Sequence, residues 1–86
     1  MTPDELHKNK VDDCIDMMRS RNSRNFLYQY MSDIGTFVDS FNPDSYIHAR
    51  YAGMRAAGLQ LQEQLKQYAP EEYKQMIKEQ HEWQMK

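Results

Sequence analysis

From Ile47 onward the apolar positions fall into alternating steps of four and three residues: Ile47, Tyr51, Met54, Gly58, Leu61, Leu65 and Tyr68. That spacing keeps one stripe of a helix turned toward a neighbour, an a/d seam three heptads long. It predicts a helix over 43–68, with Asn42 as its cap and Pro43 and Asp44 as its first residues. Shorter patterns of the same kind recur elsewhere. Val11, Cys14, Ile15 and Met18 lie at i, i+3, i+4 and i+7 behind Thr2-Pro3-Asp4-Glu5, which offers an N-cap, a proline at N1 and a glutamate at N3. Leu27, Tyr30, Met31 and Ile34 form one face of a helix over 22–35, capped by Asn22 or Ser23 and closed by Gly35 in the left-handed region. Ala69-Pro70-Glu71-Glu72 opens a last helix over 70–82 along Tyr73, Met76, Ile77 and Gln80. Nothing in the chain reads as a strand.

The expected class is therefore all-α, a small three-helix core with an additional N-terminal amphipathic helix over 3–19. That first helix is thinly apolar and should be the most detachable element. Residues 1–22 form an N-terminal helix and arginine-rich turn, and residues 23–86 a helical core domain with a polar C-terminal end. Within the long helix, YAGMRAAG places Gly53 and Gly58 where each costs about 1 kcal/mol relative to alanine. A compensating gain is close approach. Ala49, Ala52, Gly53, Ala56 and Ala57 keep the flank small, so Gly53, Ala57 and Gly58 are read as close helix-packing positions, with a neighbouring helix or the rings of Phe26, Phe37 and Phe41 against them. Arg55 either covers apolar surface with its stem, joins a salt bridge, or reaches a partner.

Size sharpens this picture. With 86 residues, a single core supplies only about 3–5 kcal/mol, which makes oligomerisation or docking on a larger assembly a natural expectation. Eleven basic and thirteen acidic residues, evenly spread to a net charge of −2, exclude a histone-like binder. The lone Cys14 has no disulfide partner within the chain and no Cys or His at ligand spacing, which fits a reducing cytoplasm. No signal-peptide pattern is present and no run approaches the roughly 18 apolar residues of a membrane span, so a soluble protein with no membrane partner is expected. Seven methionines serve either as core filler or as a surface that adapts to partners.

Candidate chemistry is sparse. Asp12, Asp13 and Asp16 have the DDxxD spacing that can hold magnesium against a diphosphate, but a second acidic motif and an enclosing pocket are needed, and a solvated acidic face is the preferred reading. His7, His48 and His81 are scattered, and Asp44 with His48 is explained by a cap-region hydrogen bond. Cys14 has no neighbouring base, and the GxSxG, GxxxxGK[ST] and GxGxxG patterns are missing from the sequence. No catalytic, cofactor or metal residue is assigned, and a non-enzymatic protein is expected. Arg19, Arg21 and Arg24 lie in a stretch without acids between Asp16 and Asp33 and could meet phosphates or an acidic protein, or merely solvate a turn. Nucleic acid ranks below protein as a partner because aromatic rings, Phe26 and Tyr28, flank the arginines on one side only. Trp83, in EQHEWQMK, either docks back on the core or anchors a partner protein.

Taken together, RNFLYQYMSDIGTFVDSF, YAGMRAAGLQLQEQL and YAPEEYKQMIKE resemble a family of small helical proteins encoded in the structural-gene modules of tailed bacteriophages, of the Bordetella podophage type. The shared pattern is a helix ending in glycine, an aromatic connector, a central helix with G-x-R, and a closing Y-x-x-M-x-x-E helix. Gly35, Phe37, Phe41, Gly53, Arg55, Gly58, Tyr73, Met76 and Glu79 occupy those places, and the resemblance covers residues 24–80. It implies a phage protein of the virion or its assembly, without an active site. The leading expectation is thus a structural or assembly protein that binds virion proteins or itself in several copies, in the host cytoplasm during assembly and in the virion. A phage effector that inhibits a host protein and a nucleic-acid-binding module are the alternatives, and the tentative partner-binding residues are Trp83, Arg55, Arg19, Arg21 and Arg24.

Overall fold

The computed structural model describes residues 1–84 as an all-α chain of four helices. These are α1 (Pro3–Met18), α2 (Arg21–Asp33), α3 (Ser45–Tyr68) and α4 (Pro70–Gln84). Met85 and Lys86, the end of the expected core domain, lie outside the described residues.

Local chemistry explains where each helix starts and stops. Thr2 caps α1, its hydroxyl accepting from the Glu5 amide at 3.2 Å, with Pro3 at N1 as expected. The α1–α2 joint is shorter than the pattern suggested. Ser20, not Asn22 or Ser23, caps α2 by accepting from the Ser23 amide at 3.3 Å, so Arg21, Asn22 and Arg24 are helical and the turn shrinks to Arg19 and Ser20. At the other end of α2, Gly35 has φ +81°. Its amide donates to the Ser32 carbonyl and the Thr36 amide to that of Met31, both at 3.0 Å, the paired bonds of a Schellman motif.

α3 begins two residues later than expected. Asp44 is its cap rather than its second residue, because one carboxylate oxygen accepts from the Tyr46 and Ile47 amides at 2.9 and 3.1 Å. The expected Asp44–His48 side-chain bond is not made. His48 donates its backbone amide to the Asp44 carbonyl, while its ring lies edge-on to Phe41. The α3–α4 joint is one residue, Ala69, fully buried, whose amide bonds back to Leu65 and whose carbonyl accepts from Tyr73. Pro70 cannot continue α3 and suits the start of α4.

The core is thin. Met18, Met31, Leu65, Ala69 and Met76 are buried, with Cys14, Ile15, Leu27, Tyr28, Leu61 and Tyr73 packed around them. α1 enters that core through Met18, Cys14 and Ile15 and touches all three other helices, so the expected detachment applies only to its first half, where residues 1–10 are all exposed. Even there, Tyr68 of α3 receives His7 edge-on and Lys10 over its face. The helices lie in a slab of 46 × 41 × 16 Å. Its radius of gyration is 15.2 Å, against about 12 Å for a compact chain of this length.

The two glycines of α3 part company in this slab. A Cβ on Gly58 would run into the Thr36 hydroxyl and come within 3.0 Å of Thr36 Cβ and 3.1 Å of Ile34 Cδ1. Close packing is real there, although the neighbour is the connector after α2 and not another helix. Gly53 is a correction. Nothing lies within 4 Å of a Cβ built on it, and Ala57 is exposed, so neither serves close packing within the described residues. The rings expected on that flank go elsewhere: Phe37 stacks on Tyr28, Phe41 meets His48, and Phe26 is exposed.

Candidate functional site

α2 carries Arg24 in register with its buried stripe, three residues before Leu27 and seven before Met31. An arginine there is buried by the same geometry that buries leucine, so every donor it brings must find an acceptor. Four do. Nε and Nη2 donate to the two carboxylate oxygens of Glu79 at 2.7 and 2.9 Å, and Nη1 donates to the Met18 and Arg19 carbonyls at 2.9 and 2.8 Å. The first pair is a bidentate clamp between α2 and α4. The second satisfies carbonyls at the end of α1, a helix with no basic residue in its own last turn, and sets a cation at the negative end of its dipole. One side chain therefore ties three helices together.

The electrostatics follow from that geometry. The hydrogen bonds from Arg24, followed by its charge and that of Arg21, hold the Glu79 carboxyl below the usual carboxylate range against the opposing effect of burial. Glu79 in return raises Arg24 above its ordinary value. Arg21 Nε lies 3.7 Å from the same carboxylate, and Arg19 pairs with Asp16 at 3.0 Å on the exposed end of α1. The arginine segment is thus not a free basic cluster. Arg24 is a correction to the partner-binding set, because its guanidinium is committed inside the fold. A phosphate approaching Arg21 would also meet the Glu79 carboxylate beside it.

The described residues also form surface depressions. A groove of about 300 Å³ runs between α2 and α4 above the clamp, bordered by Arg21, Asn22, Asn25 and Gln29 on one side and by Gln80 and Trp83 on the other. Gln80 is buried and donates to Asn25 Oδ1 at 2.9 Å, forming part of its floor. Trp83 is 70% exposed, so it does not dock back on the core. Asn22 also borders an apolar shelf with Met17, Phe26 and Leu27.

The second groove, about 380 Å³, lies between the connector and the first turns of α3, walled by Ile34, Val38, Phe41, Tyr51 and Met54 with Asp33 and Asp39 at its edge. Arg55 follows Met54 on α3 and is half-buried. Its Nε is buried without a hydrogen-bond partner, and it joins no ion pair among the described residues.

Other candidate chemistry stays dispersed. No group of three His, Cys, Asp or Glu among the described residues is placed to hold a metal ion, and Asp16 of the DDxxD spacing faces Arg19. Burial, then the charge of Glu72, pushes the Cys14 thiol up, only partly offset by Lys10, which disfavours the reactive thiolate. No helix of the described residues is long and apolar enough to cross a membrane. Compared with protein-family models, curated proteins and solved structures, the chain matches none of them.

Proposed function

We propose that this chain is a non-enzymatic bacteriophage protein of virion structure or assembly that works through protein–protein contacts. The observation that carries the contact-making part is the placement of its aromatic rings. Seven of the ten, Phe26, Tyr30, Phe37, Phe41, Tyr46, Tyr51 and Trp83, are exposed, so the costliest apolar surface in the sequence is spent outside the core. Aromatic anchors beside polar grooves are the composition of protein-binding hot spots. Trp83 next to the Asn25 and Gln80 amides has that composition, with Arg21 at the rim to orient an acidic partner.

The phage setting rests on the resemblance over residues 24–80; in this reading the protein works in the host cytoplasm during assembly and is carried into the particle. In this reading Trp83 and Arg21 meet a virion protein, while Arg24 and Glu79 hold the groove open beneath them. Mass spectrometry of purified particles and of assembly intermediates tests it. The expected result is the chain present in multiple copies in one or both, with Trp83→Ala removing it from them. Absence from both, with recovery on a host protein, would overturn the assembly reading in favour of a host-directed effector.

A further inference from the structure

The groove between α2 and α4 is lined mostly by one chemical group. Of its seven lining residues four are carboxamides, Asn22, Asn25, Gln29 and Gln80, and only Arg21 and Glu79 carry charge. A carboxamide holds the same pair as a peptide unit, an N–H donor group and a carbonyl acceptor, and it does not ionise. Asn22, Asn25 and Gln29 stand at i, i+3 and i+7, so they form one stripe along α2, about 10.5 Å long at 1.5 Å per residue. An extended chain rises about 3.3 Å per residue, so the stripe matches roughly three residues of it.

Two of the carboxamides are already set in place. Gln80 is only 9% exposed, and its bond to Asn25 Oδ1 at 2.9 Å joins α4 to α2 in the floor of the groove. That bond consumes one donor and one acceptor and leaves another of each, Asn25 Nδ2 and Gln80 Oε1; turning both amides over exchanges the roles but leaves the same pair. A ligand that brings an unpaired N–H and an unpaired C=O satisfies them together. A helix does not, because its backbone groups are bonded within it, whereas an extended segment carries one of each on every residue but proline. Charge narrows the segment further. Arg24 holds both oxygens of Glu79 at 2.7 and 2.9 Å, so Arg21, exposed and 3.7 Å away through Nε, keeps its Nη donors for an incoming carboxylate.

We propose that this groove binds an extended, acidic segment of a partner protein. The backbone of the segment bonds to Asn25 and Gln80, with Asn22 and Gln29 to either side along α2. A carboxylate of the segment pairs with Arg21, and an apolar side chain packs on the exposed indole of Trp83. The proposal rests on the assembly reading and names the form in which its protein partner is recognised.

Trp83 is the only tryptophan of the chain, so its emission reports occupancy of the groove directly. The full chain is titrated with a library of hexapeptides, N-acetylated and C-amidated, in which each position is fixed in turn as aspartate, lysine, leucine or N-methylalanine, and with maltotriose as a neutral sugar. Peptides that carry an aspartate and a leucine should shift the emission below millimolar concentration. Lysine in place of that aspartate, or an N-methyl group on a central backbone amide, should each weaken binding at least tenfold. Arg21→Gln should erase the preference for aspartate over lysine, and Asn25→Leu should weaken binding of every peptide, with circular dichroism confirming that both variants keep their helices. No peptide bound at millimolar concentration, binding indifferent to N-methylation at every position, or a response to maltotriose alone overturns the proposal. If that happens while Trp83→Ala still removes the chain from particles, the assembly reading stands without it. Peptide binding of the expected pattern by a chain absent from particles and intermediates would uphold the groove's specificity and end that reading.

Discussion

In one region three methionines, a leucine and an alanine form the buried core that the Arg24–Glu79 clamp ties together, whereas in another the connector and the first turns of α3 leave five large apolar side chains in water. Both regions are rich in apolar residues. What separates them is how many elements supply them: α1, α2, α4 and the second half of α3 meet at the first, while the end of α2, the connector and early turns of α3 wall the second. Apolar content alone therefore does not mark a core. A stripe becomes core where several helices can reach it and becomes contact surface where they cannot.

The sharpest way to break this comparison is at the clamp. Arg24→Ala leaves Glu79 half-enclosed without its partner and uncaps α1, and should lower stability by about 3 kcal/mol, the lower end for a broken buried pair. The urea midpoint reads it. A loss under about 1 kcal/mol would mean that the packed region does not depend on the clamp. Next in size is Gly58→Ala, where the new methyl has to displace buried Thr36 and Ile34. An overpacking cost of about 1–3 kcal/mol is expected in thermal or urea unfolding.

Acid titration sharpens the same point. Because the Glu79 pKa in the folded state is held below its ordinary value of 4.5, its contribution is fully present above that value and is lost as pH falls through the folded-state pKa. Stability followed by urea unfolding should therefore decline below about pH 4.5, and Glu79→Gln should flatten that decline while lowering stability at neutral pH. An equally steep acid limb in the variant would assign it to other carboxylates. The smallest effect belongs to the open flank. Gly53→Ala should raise stability by about 0.5–1 kcal/mol, since a methyl meets nothing there and a helix interior favours alanine. A loss would show that the flank is occupied.

Much of the fold was legible in residue order because helices announce themselves locally. Thr2-Pro3, Gly35 with its left-handed φ, and Ala69-Pro70 all sit where their chemistry requires, and the seam from Gly58 to Tyr68 turns inward. Periodicity does not say what a face meets. It puts Gly58 in the seam and Gly53 on the flank beside it, but it does not show that Thr36 of the connector fills the space at Gly58 while the space at Gly53 stays bare.

The clamp had a readable signal that composition hides. Arg24 stands in register with Leu27 and Met31, and Glu79 lies three residues after Met76, so opposite charges sit on the inward stripes of two helices. Reading Arg24 with Arg19 and Arg21 as one basic segment obscured it, since neighbours in sequence point to different sides of a helix. Trp83 was legible as an outlying ring, but that it stands exposed at the groove between α2 and α4 was not.

The central claim, that the region where four helices converge folds this molecule while the connector region packs far less, is tested most directly by native-state hydrogen exchange. Amides around Met31, Leu65 and Met76 should exchange only through global unfolding, while those of residues 36–52 exchange through local openings of much lower free energy. Equal protection along the whole chain, or weaker protection around the three core residues than in residues 36–52, would contradict it.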